Sequence, residues 1–209
     1  MDKRSGMFGG INMTKKVAVL FLVLTIVLSG AFAKNVIQIG PSVTWNRPAS
    51  EFDGVDFTQE FTNVNNFTFG ADVRLNLGYF QLATQAGIGG LMGGDAKALT
   101  FNTNATANLK FDISILELFF GAGTNMDIAR WKDNGTRTVN NGTFDDFADA
   151  LSRSNLIYRA GVGLNLGFLG LNLQAIVPTK GTFQDEVKDI FTPVFESTKI
   201  TASVLFNFF

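Results

Sequence analysis

The chain has 209 residues, 46% of them apolar, with 22 phenylalanines and neither cysteine nor histidine. That size fits one ordinary domain, and the missing cysteines exclude disulfides, thiolate chemistry and cysteine-based metal sites. A formal charge of −1 offers no broad basic footprint for nucleic acid.

Met13-Thr14-Lys15-Lys16 precedes an apolar run from Val17 to Leu28, followed by Ser29 to Ala33. A positive segment, a short apolar core and an Ala31-Phe32-Ala33 cleavage box together predict a secretory signal peptide over residues 1–33. The run is shorter than the roughly 20 residues of a spanning helix. Residues 1–12 carry no signal-like pattern and read as an upstream extension, so Met1 and Met13 both stand as starts. Cleavage before Lys34 would remove Lys3, Arg4, Lys15 and Lys16 against Asp2, leaving 13 basic and 17 acidic residues and a net charge near −4 on residues 34–209.

Period-two alternation then dominates. A first strand runs from Ile37 to Trp45, and residues 46–65, with Pro48, Gly54 and several acids, read as a long loop. From Phe67 to Tyr79 the odd positions are apolar or aromatic while Thr68, Gly70, Asp72, Arg74, Asn76 and Gly78 fill the even ones. This is the signature of a strand with two different faces. The chain reverses near Gly78–Phe80 and alternates again to Ile88. After a Gly-rich link at 91–97, a fourth strand spans 99–113 and a fifth 116–128, with a tight turn near Ser114–Ile115. A loop at 129–153 with Asn-Gly turn signals leads to a sixth strand at 156–168 and a seventh at 169–177. Pro178 is expected to open a loop to Ser197, and the eighth strand covers 198–209. Strands of about ten residues suit a tilted bilayer crossing better than a soluble sandwich, where about 5–6 is usual. Leu75-Asn-Leu-Gly78 recurs as Leu164-Asn-Leu-Gly167, a repeated hairpin solution before a short turn.

An even number of amphipathic strands, short turns alternating with long loops, a signal peptide and a terminal Phe resemble the small eight-stranded outer-membrane barrels of the OmpA/OmpX type, over essentially all of 34–209. The resemblance implies an all-β, antiparallel up-and-down transmembrane β-barrel in the cell outer membrane, surrounded by outer-membrane lipid. It further implies that Phe209 is the assembly signal read by the barrel-assembly machinery, although Thr201, Ser203 and Asn207 interrupt the usual apolar alternation and the apolar register ends at Phe208.

An eight-stranded barrel has an interior only wide enough for side chains or one small ligand. The alternation assigns Arg74, Lys110, Arg159 and Lys199 to that interior together with Asp72, Asp112, Glu117 and Asp127. Four charges of each sign cancel, and a buried charge needs a partner, so these eight residues are expected to form a lumen network. A structural or surface-interaction barrel follows; the alternative is a narrow pore or carrier for a small apolar solute beside the inward pairs Gly87/Gly89, Gly121/Gly123 and Gly161/Gly163. These glycines lie within strands, so they are expected to relieve crowding and set curvature, and they do not suit a dinucleotide loop. No catalytic, cofactor or metal residues are assigned. Outer-membrane barrel enzymes resemble one another in using a histidine base, and carboxylates held by Arg or Lys make poor general acids. Two loop segments, Gly142 to Leu151 and Gly181 to Phe191, carry Thr143 and Thr182 as expected N-caps of short amphipathic helices. Such helices would lid the barrel, rest on the membrane surface or serve a surface partner through loops 129–153 and 178–197.

Overall fold

The computed structural model describes residues 36–89, 99–130, 137–139, 142–143 and 145–208. Eight long strands close into an antiparallel up-and-down barrel: β1 (Ile37–Trp45), β2 (Phe67–Leu77), β3 (Phe80–Gly89), β4 (Leu99–Ile113), β5 (Leu116–Arg130), β8 (Asn155–Asn165), β9 (Leu169–Thr182) and β10 (Lys199–Phe208). Neighbours in sequence pair around the wall, and β10 closes onto β1 with Gln38 opposite Asn207 and Trp45 opposite Ile200. Two short strands, β6 (Arg137–Val139) and β7 (Gly142–Thr143), extend the upper edge of β5 outside the barrel. At about 3.3 Å per residue, the 15 residues each of β4 and β5 reach about 50 Å. That exceeds a tilted crossing of a ~30 Å hydrocarbon layer: β5 runs past β8 by Met126–Arg130 at the long-loop end, and β4 runs past β3 by Lys110–Ile113 at the short-turn end.

The alternation turns the barrel inside out. On β2 the even residues Asp72, Arg74 and Asn76 are buried, while Phe69 and Leu75 are exposed on the outer surface. Leu82, Phe120 and Leu173 face outward and are about half exposed, whereas Arg74 and Arg159 rank among the most deeply buried side chains. Aromatic clusters mark both rims. Tyr79, Phe111 and Phe120 group at the short-turn end, and Trp45 stacks on Phe52 with centroids 4.7 Å apart at the other, with Phe61 and Phe67 alongside.

Three short turns share one device. Gly78, Ser114 and Gly167 each adopt positive φ, at 70°, 61° and 86°, the left-handed conformation that reverses a strand tightly and that glycine adopts without strain. The repeated Leu-Asn-Leu-Gly segments thus place their glycines at equivalent corners, and the middle turn manages with serine.

Several expectations change. Residues 46–65 contain 3-10 turns at Ala49–Glu51 and Val64–Asn66 and a helix, α1 (Phe57–Thr62), whose first turn is capped by the Asp56 carboxylate accepting from the amides of Thr58 and Gln59. Pro178 does not end its strand. A register shift where Asn155 and Ile157 face β9 removes the need for a ladder donor there, so β9 continues to Thr182. The helices α2 (Phe147–Ser152) and α3 (Val187–Phe191) are preceded by Asp146 and Glu186. Thr143 instead belongs to β7, and Thr182 closes a turn in which its amide and hydroxyl both donate to Asp185. The predicted signal peptide, the link at 91–97 and Phe209 lie outside the described residues.

The helices of two long loops, α2 and α3, pack on the outside of the wall. Ala150 of α2 covers Met126, which the alternation had pointed toward lipid, and the Tyr158 hydroxyl on the outer face of β8 donates to the Phe191 carbonyl at the end of α3. Gly181 lets α3 approach: a Cβ there would lie 2.9 Å from the Asp189 carbonyl carbon and 3.0 Å from the Ile190 nitrogen.

Candidate functional site

The lumen is occupied across its middle by a plug of charged and amide side chains. Arg74, projecting from β2, donates to Asp72 from Nη2 at 2.8 Å, to Asn172 from Nη1 at 2.9 Å and to Gln174 from Nη2 at 3.1 Å. Its Nη1 also lies 3.4 Å from Glu117 Oε1. Arg159 reaches across from β8, donating to Asp72 at 3.1 Å, to Gln174 from Nε at 2.9 Å and to Thr106 at 3.2 Å. Asp72 accepts in addition from Ser203 at 3.0 Å. One carboxylate thereby holds two guanidiniums and a hydroxyl from three separate strands. Arginine suits this role because its planar fork supplies several donors in fixed directions.

Phe119 is the apolar member of the plug. Its ring lies beneath both guanidiniums, with Arg74 Cζ 4.7 Å and Arg159 Cζ 5.6 Å from the centroid. Gly161, directly opposite Phe119 on the paired strand, makes room for it: a Cβ at that position would lie 2.4 Å from Phe119 Cζ and 2.9 Å from Gln174 Cβ. Gly163 likewise admits Asn172, whose Oδ1 would stand 2.4 Å from an added Cβ. The space over these inward glycines is filled by the plug's own side chains.

Toward the short-turn end, Lys110 sits between Glu117 at 3.6 Å and Asp112 at 3.0 Å. A row of amides runs from β1 across β10 to the end of β8, Gln38 donating to Asn207 and Asn207 to Asn165. Above the plug, Gln174 donates to Gln85, which donates to Thr44, itself hydrogen-bonded to Thr201 at 2.8 Å.

The eight charges of the predicted network therefore separate into three groups. Asp72, Arg74, Glu117 and Arg159 form the buried centre, joined by Lys110 at its edge. Asp112 is not inside: its side chain is 51% exposed, because it lies two residues from the Ser114 turn where the wall ends. Asp127 and Lys199 stand away from the centre at the long-loop mouth, 3.6 Å apart and about one-third exposed. The amides Gln81, Asn172 and Gln174 and the Phe119 ring complete the centre. Their place on the inward face follows from alternation, but which strand heights meet depends on the stagger of the barrel, which a single strand does not encode.

A separate polar cluster stands in the first loop. Glu60 accepts from Trp45 Nε1 at 2.9 Å and from Arg47 Nη2 at 2.6 Å, and these two donors hold its carboxyl below the ordinary value. Among the described residues no group of three or more His, Cys, Asp or Glu is placed to hold a metal ion.

No family model and no curated protein matches the chain. Among solved structures, its fold is similar to the crystal structure of Neisserial surface protein A, with a TM-score of 0.49 and 11% sequence identity, over 82% of this chain and 97% of that one. The closed eight-stranded barrel described above rests on this chain's own strand pairing.

Proposed function

We propose that this chain is an integral outer-membrane β-barrel with a structural or surface-interaction role, its lumen sealed against solute flow. The observation that carries the reading is the inverted distribution of side chains: arginines and carboxylates buried at the centre, large apolar side chains exposed around the outside. In water such an outer surface would be an aggregation hazard, whereas in lipid it is the stable arrangement for a closed barrel. Export through a leader at 1–33 and recognition of Phe209 by the assembly machinery belong to the same proposal.

The plug argues for sealing. Arg74, Arg159, Asp72 and Gln174 bridge from wall to wall, so a passing ion would have to break several charge-assisted hydrogen bonds at once. The surface role falls to the loop segments 129–153 and 178–197, which present Phe147, Val187 and Phe195 to the outside. Planar-bilayer recording of the refolded protein tests the reading. Silent membranes are expected; stable, ion-size-dependent openings in the unaltered chain would overturn the sealed barrel in favour of the narrow pore.

A further inference from the structure

Above the plug the lumen is not filled. A cavity of about 360 Å³ opens at the long-loop mouth, within the size range of small-ligand sites. Its floor is apolar, made by Ile157 and Ile176, both buried. Its wall carries the anion Asp127 and two cations, Lys180 and Lys199, beside the amides of Asn102 and Asn125. Asn102 donates to both Asn125 and Asp127, which fixes the carboxylate on the cavity wall. The remaining charge on the lining, Lys180, is engaged by Asp189 at 3.2 Å.

Two features distinguish this pair from the charges below it. The Asp127–Lys199 separation of 3.6 Å exceeds a hydrogen bond, with side chains 38% and 35% exposed, whereas Arg74 and Asp72 meet at 2.8 Å fully buried. A loose, half-hydrated pair contributes little to stability and is open to exchange with a ligand. The two opposite charges also stand side by side above an apolar floor. That arrangement complements a molecule bearing an ammonium and a carboxylate close together with an apolar group beyond them. A neutral sugar is served less well, since none of the described residues lining the cavity is aromatic and sugar faces want a ring to stack on.

We propose that the mouth cavity binds a free zwitterionic amino acid with an apolar side chain, its ammonium on Asp127, its carboxylate on Lys199 and its side chain on Ile157 and Ile176. The Thr44–Thr201 bond and the plug beneath make the site blind, so the ligand is captured at the surface and does not pass through. The site requires only the folded barrel, so a failure of binding would leave the membrane reading untouched, and openings in a bilayer would leave the binding question open to its own test.

The test is calorimetric titration of the refolded protein in micelles with L-leucine as probe, against isoamylamine, which lacks the carboxylate, 4-methylpentanoate, which lacks the ammonium, and maltose. Leucine is expected to bind saturably, one per chain, with both single-charge analogues weaker by about tenfold or more. Lys199→Met and Asp127→Asn should each weaken leucine by a similar factor while circular dichroism still shows the folded β-barrel. Absence of saturable leucine binding, leucine binding unchanged in both variants, or saturable maltose binding in its place would overturn the assignment. The ligand series on the unaltered chain decides the matter even where a variant fails to refold.

Discussion

The guanidinium of Arg74 lies 4.7 Å from the centroid of the Phe119 ring, and both side chains are buried. A desolvated cation over an aromatic face is stabilised by about 2 kcal/mol, and here the same ring serves Arg159 as well. Phe119→Leu keeps apolar bulk but removes the ring quadrupole, so the unfolding midpoint in urea should fall by an amount of that order. A leucine variant as stable as the parent would show that the ring only fills space.

Removing Arg159 should be more costly. Arg159→Met preserves length but takes one donor from Asp72 and leaves Gln174 Oε1 with Arg74 as its donor. Breaking a buried pair costs about 3–5 kcal/mol, with the lower figure expected here because Arg74 and Ser203 still hold Asp72. Urea unfolding in lipid vesicles measures it. A variant of parental stability that also conducts ions would identify a wet lumen gated by Arg159.

Leu173 faces outward and is 53% exposed. Leu173→Arg should destabilise the lipid-inserted barrel by about 2–4 kcal/mol, the cost of a cation near the midplane of a barrel wall, while Leu173→Ala should cost much less. Equal tolerance of both substitutions in vesicle refolding would mean that this face does not meet lipid.

The first loop should respond to acid. Hydrogen bonds from Arg47 and Trp45 hold the Glu60 carboxyl below its ordinary value of 4.5. The folded-state value is therefore depressed, and the stabilisation is complete above about pH 4.5 and lost as pH falls through the lowered folded value. Fluorescence of Trp45 in a Trp131→Phe background should show an acid transition in that window, absent in Glu60→Gln. Identical titrations would detach Glu60 from Trp45.

Gly167 and Gly161 are glycines for different reasons. Gly167 has φ 86° with nothing within 4 Å of an added Cβ, so Gly167→Ala should cost only the left-handed penalty of about 1–2 kcal/mol. Gly161 lies under Phe119, so Gly161→Ala should cost more, and pairing it with Phe119→Leu should recover part of the loss. A strictly additive double variant would argue against the contact.

The sequence shows the wall plainly because an apolar outer face and a polar lumen put opposite demands on successive residues. Along Leu99 to Ile113 nearly every outward position is apolar and nearly every inward one is polar, so strand and face are both legible. Height is not. Asp112 and Asp127 carry the same alternation signal as Asp72, yet one falls beyond the rim and the other at the far mouth, since stagger between strands decides which level each occupies. Pro178 misleads because its missing N–H matters only where the ladder requires one. The helix α1 did leave a trace: Asp56 ahead of Phe57-Thr58-Gln59-Glu60 is a capping acid before a helical turn.

The seam between β1 and β10 has a kinetic consequence. Gln38 and Asn207, hydrogen-bonded at 2.9 Å, are 169 positions apart in the chain, whereas β2 with β3, β4 with β5 and β8 with β9 meet across two or three residues. Local hairpins can form early, but closure must bring the most distant strands together, and contacts so remote in sequence are the slowest to be won. Until they meet, β1 and β10 each present an unpaired edge able to recruit another chain. The rate-limiting act of folding is therefore expected at this seam, and shielding it until closure is what a helper would have to do.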